Sequence, residues 1–210
     1  MSDDAGAGSG ASPPDPERWA QVTAELEGIA EEYRKSGWDA VTAVPDSVAT
    51  RTAEADPEGK GGFDLLVADD EFDALSEYVA GRTFDSYEVF RGGGEGAVYV
   101  VVAVEATESE RAVLYPAYFT DESVLDLHET ADAGPLYTHL RSPESDERVT
   151  FTHESPAPFF PEWGEEKGLG IDPDNVWLSF NDRVAWNDFE TPESKARFEE
   201  SELSDRLNVS

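Results

Sequence analysis

The 210-residue chain contains no cysteine, and this absence excludes several kinds of chemistry at once. Without thiols the protein has no disulfide bonds, no cysteine nucleophile, and no zinc or iron–sulfur site held by thiolates. No serine belongs to a recognisable nucleophile motif, and no glycine run has the spacing of a phosphate-binding loop. We therefore expect no metal site and no cofactor, and we assign no catalytic residue.

Positive charge is also scarce. The chain has 15 Lys+Arg against 47 Asp+Glu, so its formal net charge is 15 − 47 = −32. The acidic residues are dispersed along the chain, whereas a mimic of nucleic acid would concentrate them. Dispersed carboxylates are typical of a salt-rich cytoplasm, where a Debye length of about 3 Å screens their repulsion. The charge predicts a halophilic protein, and the lack of a basic stripe predicts no direct nucleic-acid binding.

Long hydrophobic runs are missing as well. No segment approaches the ~18 consecutive apolar residues that a membrane-spanning helix requires. The first residues, MSDDAGAGSGASPPDP, lack the basic region and apolar stretch of a signal peptide. We predict a cytoplasmic protein with no membrane association.

The pattern of hydrophobic residues divides the chain into three parts. Residues 1–14 are rich in small residues and predict a disordered tail, and residues 15–160 predict an α+β domain. Residues 161–210 predict an aromatic-rich C-terminal extension that ends in a helix. For residues 173–187 both a helix and a hairpin fit the pattern, and the helix is slightly favoured. The expected fold is a single, largely antiparallel or mixed sheet of about six or seven strands, with helices mainly on one face.

Strand and helix candidates alternate within the central domain. Residues 45–62 contain many polar and turn-forming residues and predict a long loop. Helices are expected at residues 16–35, 70–80 and 121–133, and strands at residues 38–44, 63–67, 87–91, 97–105, 111–119, 136–141 and 148–153.

Two of the three histidines lie in the last predicted hairpin, each following a threonine. When the apolar residues of both strands share one face, Leu140 pairs with Val149 and His139 lies opposite Thr150. His139 and His153 then point to opposite faces and cannot bind one metal ion. The third histidine, His128, is expected on a solvated helix face.

A short nuclease-like pattern occurs in the predicted loop, with Asp46 in Pro-Asp followed by Glu58-Gly59-Lys60. In metal-dependent nucleases two carboxylates hold Mg²⁺ and the lysine orients the attacking water. That chemistry requires the Glu-x-Lys segment on a strand, whereas here it lies among turn formers. We therefore expect Lys60 to be exposed and far from any carboxylate pair.

Aromatic residues provide the remaining candidates for a site. They occur near strand ends and in the proline-rich segment ESPAPFFPEW, where they pack as a lid on the core or form the rim of a binding site. The candidate ligand-binding residues are Trp38, Tyr118, Tyr137, Phe159 and Phe160.

Several segments in fixed order, among them YRKSGWDAVTAVPDSV, FDLLVADDEFDALSEYV, LYTHLR and VTFTHESPAPFF, resemble an uncharacterised family of haloarchaeal proteins. The resemblance covers roughly residues 17–160 and implies a haloarchaeal, cytoplasmic setting but no activity. The leading hypothesis is a non-catalytic binding or interaction domain with an unknown protein or small-molecule partner. The alternative is a Mg²⁺-dependent hydrolase or nuclease that uses carboxylates. The sequence predicts no oligomeric state.

Overall fold

The computed structural model describes residue 13, residues 15–94, 96–144 and 147–160, and the backbone of Leu178–Ser179. Most of the predicted N-terminal tail and of the C-terminal extension, including its final helix, therefore lies outside the described residues. Leu178–Ser179 form a short strand, so the helix favoured for residues 173–187 is wrong at these two positions.

The three predicted helices of the central domain are present as α1 (Pro16–Lys35), α2 (Asp69–Val79) and α3 (Val124–Ala133). Helix α1 begins where the sequence predicts, because the Asp15 carboxylate accepts hydrogen bonds from the first free backbone N–H groups. It ends before Gly37, which adopts a left-handed conformation with φ of 95°. None of the described helices is both long and apolar enough to cross a membrane.

The strands form two sheets, so the predicted single sheet of six or seven strands is wrong. The strands are β1 (Asp39–Thr42), β2 (Ser47–Arg51), β3 (Gly62–Leu66), β4 (Ser86–Gly94), β5 (Ala97–Ala106), β6 (Arg111–Thr120), β7 (Leu136–Arg141), β8 (Arg148–His153) and β9 (Leu178–Ser179). The first sheet has the order β1-β6-β5-β4-β9, and the second has the order β2-β3-β7-β8.

The three strands predicted at residues 87–91, 97–105 and 111–119 correspond to β4, β5 and β6, which pair antiparallel in sequence order in the first sheet. Strand β1 pairs parallel with β6, and β9 pairs with residues 90–91 of β4. Nearly every residue of β5 and β6 is buried, including polar-tipped Tyr99 and Tyr115. Strands with two buried faces need a cover on each side, and α1 supplies one of them.

The second sheet contains a strand that the sequence did not predict. Strand β2 lies within the expected loop at residues 45–62, and it pairs antiparallel with β3. Its five residues are flanked by polar turn formers, and only Val48 is fully buried, so its hydrophobic signal is weak. Strand β3 pairs parallel with β7, and Gly62 there has φ of 148°. A Cβ at Gly62 would come within 2.0 Å of the Tyr137 carbonyl oxygen, so this close approach requires glycine.

The two sheets pack face to face through aromatic side chains. The Tyr115 ring stacks on Phe151 with centroids 6.0 Å apart, and Phe63 meets Phe119 at 6.3 Å. One face of the second sheet packs against the first sheet. Because side chains alternate along a strand, every other residue of the second sheet points away from the first. That outward face carries the candidate site.

Candidate functional site

The outer face of the second sheet is polar, and we call it the polar face. It consists of the outward residues of β2, β3, β7 and β8 together with the loop at residues 52–61 that folds onto them. Leu65 and Leu140 point into the core, while their neighbours Asp64 and His139 point outward and are paired in register. Its charged and aromatic side chains are Arg51, Asp56, Glu58, Lys60, Asp64, Tyr137, His139, Arg141 and Arg148.

Cationic side chains are concentrated on this face. The described residues include ten lysines and arginines, and four of them lie here: Arg51, Lys60, Arg141 and Arg148. The exposed fractions of these four side chains range from 27% to 38%, so all of them reach solvent. In a chain of net charge −32, positive side chains are therefore distributed unevenly over the described residues.

Asp64 lies at the centre of one half of the polar face. Arg51 Nη2 donates to Asp64 Oδ2 at 2.5 Å, and Arg141 Nε donates to Asp64 Oδ1 at 2.6 Å. The Asp64 side chain is only 5% exposed, so these two arginines supply the compensation that a buried carboxylate requires. One carboxylate thereby fixes two guanidinium groups that come from β2 and β7.

Asp56 organises the other half of the polar face. Its Oδ1 accepts hydrogen bonds from the backbone N–H groups of Glu58 and Lys60, at 2.9 and 3.1 Å. Its Oδ2 accepts from Arg148 Nη1 at 2.7 Å, and Arg148 Nη2 also reaches Glu58 at 3.0 Å. These contacts attach the loop to β8. Burial opposes ionisation of Asp56, but the hydrogen bonds from Arg148, Lys60 and Glu58 outweigh it and lower its pKa to about 2.

His139 lies beneath the same loop and is buried. Its Nε2 donates to the Lys60 carbonyl oxygen at 2.8 Å, and its Nδ1 lies 2.9 Å from Thr150 Oγ1, which donates to it in the neutral tautomer. Burial lowers the His139 pKa, so the ring is neutral at pH 7. The ring is only 2% exposed, so replacing His139 with alanine would leave the Thr150 hydroxyl and Lys60 carbonyl groups without this partner.

Replacing Asp56 with asparagine is expected to cost about 1–3 kcal/mol of unfolding free energy at pH 7, because half-buried Arg148 loses the buried one of its two carboxylate partners. The Asp56 pKa is depressed in the folded state, so its stabilisation is present above the unfolded pKa of about 4. That stabilisation is lost as the pH falls through about 2. The difference in unfolding free energy between the wild type and Asp56→Asn, measured by urea unfolding, should therefore decrease as the pH falls from 4 to 2.

The matched control is Glu58→Gln, which alters an exposed carboxylate that touches the same arginine. Its expected cost is clearly smaller than that of Asp56→Asn, because an exposed ion pair is solvated in both the folded and the unfolded chain. Equal costs for the two substitutions at pH 7 would contradict the central role of Asp56.

The predicted register of the histidine hairpin is confirmed. Leu140 pairs with Val149, His139 with Thr150 and Leu136 with His153, so the two histidines face opposite sides. His153 points into the core, where its Nε2 lies 3.0 Å from Thr138 Oγ1 and 3.2 Å from the Tyr115 hydroxyl. Burial lowers the His153 pKa to about 3. The two imidazoles therefore belong to separate hydrogen-bond networks.

His128 is less solvated than the sequence suggests. Its ring packs edge-on against Phe160 with centroids 5.0 Å apart, and its Nδ1 lies 3.2 Å from Asp132 one helical turn away. The side chain is 35% exposed, so it lies at the boundary of the core.

The nuclease-like residues do not converge. Asp46 donates its backbone N–H to Leu66 at the end of β3, whereas Lys60 precedes the start of that strand. The two ends of this five-residue strand are roughly 13 Å apart at the usual rise per residue. The expectation that Lys60 lies far from any carboxylate pair is wrong, because Lys60 Nζ contacts Glu58 at 2.8 Å beside Asp56. Within the part of the chain that the structure describes, no three acidic or histidine side chains are placed to hold a metal ion.

The structure does not bring the five candidate aromatic residues together. Trp38 packs on Tyr33 of α1, and Tyr118 is buried under Trp19 on the outer face of the first sheet. Phe159 and Phe160 are buried between the sheets, where they contact Phe63 and Phe119. Tyr137 lies on the polar face, with its ring parallel to that of His139 at 6.3 Å. A ligand-binding role for these residues stays a prediction.

An open groove adjoins the polar face along the edge of the sandwich. It has a volume of about 430 Å³ and lies between β8 and the segment before β4, with Phe84 and Phe151 among its apolar lining residues. Arg148 also lines it, so the groove and the polar face share one cationic side chain.

The arginines and the two buried carboxylates of the polar face were not identified as site residues from the sequence, although one signal was present. The hairpin register places Arg141 directly opposite Arg148, and like charges in that position repel each other unless carboxylates separate them. The required carboxylates are Asp64, on a strand 77 residues before Arg141, and Asp56, in a loop 92 residues before Arg148, so only the folded chain brings them to the arginines.

Comparison with known proteins gives a family but no activity. No curated protein matches the chain. No solved structure matches it either. One family model, described as a family of unknown function (DUF7529), matches residues 8–161, which is most of the chain and includes every residue of the polar face. The protein therefore belongs to this family of unknown function, DUF7529.

Proposed function

We propose that this protein is a non-catalytic binding module whose ligand-binding surface is the polar face. The observation that carries the proposal is the clustering of Arg51, Lys60, Arg141 and Arg148 on one sheet face of a strongly acidic chain. Tyr137 lies on the same face and adds an aromatic contact to its polar groups. The partner is a protein or a small molecule that carries acidic groups.

The composition supports a salt-rich cytoplasm as the place where this module works. At molar salt the Debye length is about 3 Å, so dispersed carboxylates neither attract nor repel at long range. Binding then depends on direct contacts, which the half-exposed arginines of the polar face can make. A haloarchaeal origin fits the same composition.

A nucleic-acid backbone is a poor ligand for this surface. Asp56, Glu58 and Asp64 lie between the cations, and phosphate groups along a strand would meet these carboxylates. A Mg²⁺-dependent hydrolase gains no support either, because Asp46 is remote from Glu58 and Lys60.

Affinity purification of the tagged chain from a lysate in about 2 M KCl tests the proposed surface. We expect the double substitution Arg51→Gln/Arg141→Gln to lose the molecules that the wild type retains. The matched control is Arg34→Gln/Lys35→Gln on α1, which removes the same charge from a helix that packs on the first sheet, away from the polar face. Retention of the same molecules by all three proteins would show that another surface binds the partner.

A further inference from the structure

The arginines that clamp Asp64 retain unused hydrogen-bond donors. A guanidinium group has five N–H donors. Arg51 uses Nη2 and Arg141 uses Nε for Asp64, and the structure shows no further partner for either side chain among the described residues. The side chains of Arg51 and Arg141 are 30% and 36% exposed, so the remaining donors face solvent.

The two halves of the polar face differ in their net charge. Arg148 and Lys60 are matched by Asp56 and Glu58, so their contacts balance to zero net charge. Arg51 and Arg141 share the single carboxylate of Asp64, which leaves one positive charge in excess. An anion therefore gains more at the Arg51–Asp64–Arg141 group than at the neighbouring group.

The hydrogen bonds to Asp64 also hold the guanidinium groups of Arg51 and Arg141 in place before a ligand binds. Free arginine side chains lose rotamer entropy when they bind, whereas these two are already held by a buried carboxylate at the base of the site. The nitrogens that contact the two oxygens of Asp64 lie within about 7 Å of each other, since two hydrogen bonds and one carboxylate span that length. One oxyanion with two or more oxygens bridges such a gap.

We propose that Arg51 and Arg141 together form an oxyanion-binding site, which takes a carboxylate or phosphate group of the ligand. Asp64 acts as a positioning residue that orients the two arginines. Charge-assisted contacts of this kind act at about 3 Å and persist at salt concentrations that screen longer-range attraction. This inference rests on the proposed function and assigns a chemical class to its ligand.

The test is an NMR titration of the full chain in about 2 M KCl, which follows the side-chain Nε–H signals of its arginines. Inorganic phosphate and succinate are added in separate arms. We expect saturable shifts of the Arg51 and Arg141 signals with at least one of them, and the arm that saturates identifies the group as phosphate or carboxylate. Arg141→Gln should weaken that binding by about tenfold or more, while Arg34→Gln on α1 should leave it unchanged.

A second variant distinguishes the loss of binding from the loss of folding. Arg141→Lys keeps the charge but removes the planar fork, so it should weaken binding while the melting temperature changes little. Linear, non-saturating shifts in both arms, or binding that survives Arg141→Gln, would overturn the oxyanion site. The affinity purification can still succeed in that case, so failure of the oxyanion site and failure of the proposed surface are distinguishable.

Discussion

On dialysis from about 2 M KCl to millimolar salt, the protein is expected to lose its tertiary structure, because its carboxylates are then no longer screened. The chain carries 47 Asp+Glu and only 15 Lys+Arg, so few cations can offset the repulsion. Glu88 and Glu105 illustrate the problem, since both approach the Tyr33 hydroxyl, at 3.2 and 2.6 Å. Near-ultraviolet circular dichroism across the salt series measures the loss.

Two controls separate charge screening from general stabilisation by a cosolute. Sucrose stabilises folded proteins by exclusion from their surface but screens no charge, so it should not replace KCl. Lowering the pH at low salt towards the sequence pI of about 4.1 removes net charge and should restore part of the structure. A melting temperature that stays constant from molar to millimolar KCl would exclude the salt-adapted interpretation of the composition.

The substitution Phe151→Ala should lower the free energy of unfolding by about 3–5 kcal/mol, the range for a large side chain removed from a packed core. Phe151 is 5% exposed. It stacks on Tyr115 across the two sheets and meets Phe84 edge-on with centroids 5.2 Å apart. Its removal leaves a cavity at the interface that joins the sheets. Urea unfolding of the wild type and of Phe151→Ala in molar KCl measures this difference in unfolding free energy.

Thr152→Ala is the matched control for Phe151, because Thr152 is the next residue on the same strand and its side chain is exposed. Its substitution should change the unfolding free energy by no more than about 0.5 kcal/mol. A similar cost at both positions would mean that the sheets do not pack through the Phe151 face.

The hairpin at residues 136–153 is the part of the fold that the sequence pattern predicts most completely. Both strand boundaries and the full register were predicted correctly, because apolar residues alternate along each strand and a short connection leaves few ways to pair them. Helix α1 depends on similar local signals, because the Asp15 cap and the spacing of its apolar residues lie within the segment itself. These features depend on neighbours in the chain.

The number of sheets could not be predicted in the same way. Strands β5 and β6 are apolar on both faces, and the sequence does not say whether a helix or a second sheet covers each face. Strand β2 was missed because its pairing with β3, rather than its own hydrophobic pattern, makes it a strand. The parallel pairs β1–β6 and β3–β7 join segments about 70 residues apart, and no local signal specifies them.

The sequence by itself determined the family, the helices, most of the strands and the excess of acidic residues. Tertiary structure alone decided the polar face, because Asp64 meets Arg141, and Asp56 meets Arg148, only after two distant hairpins join in one sheet. Local hydrophobic patterns predict which face of a strand is buried. They do not predict which distant carboxylate lies beside an arginine, since that depends on strand order and on the folding of a loop without hydrophobic periodicity.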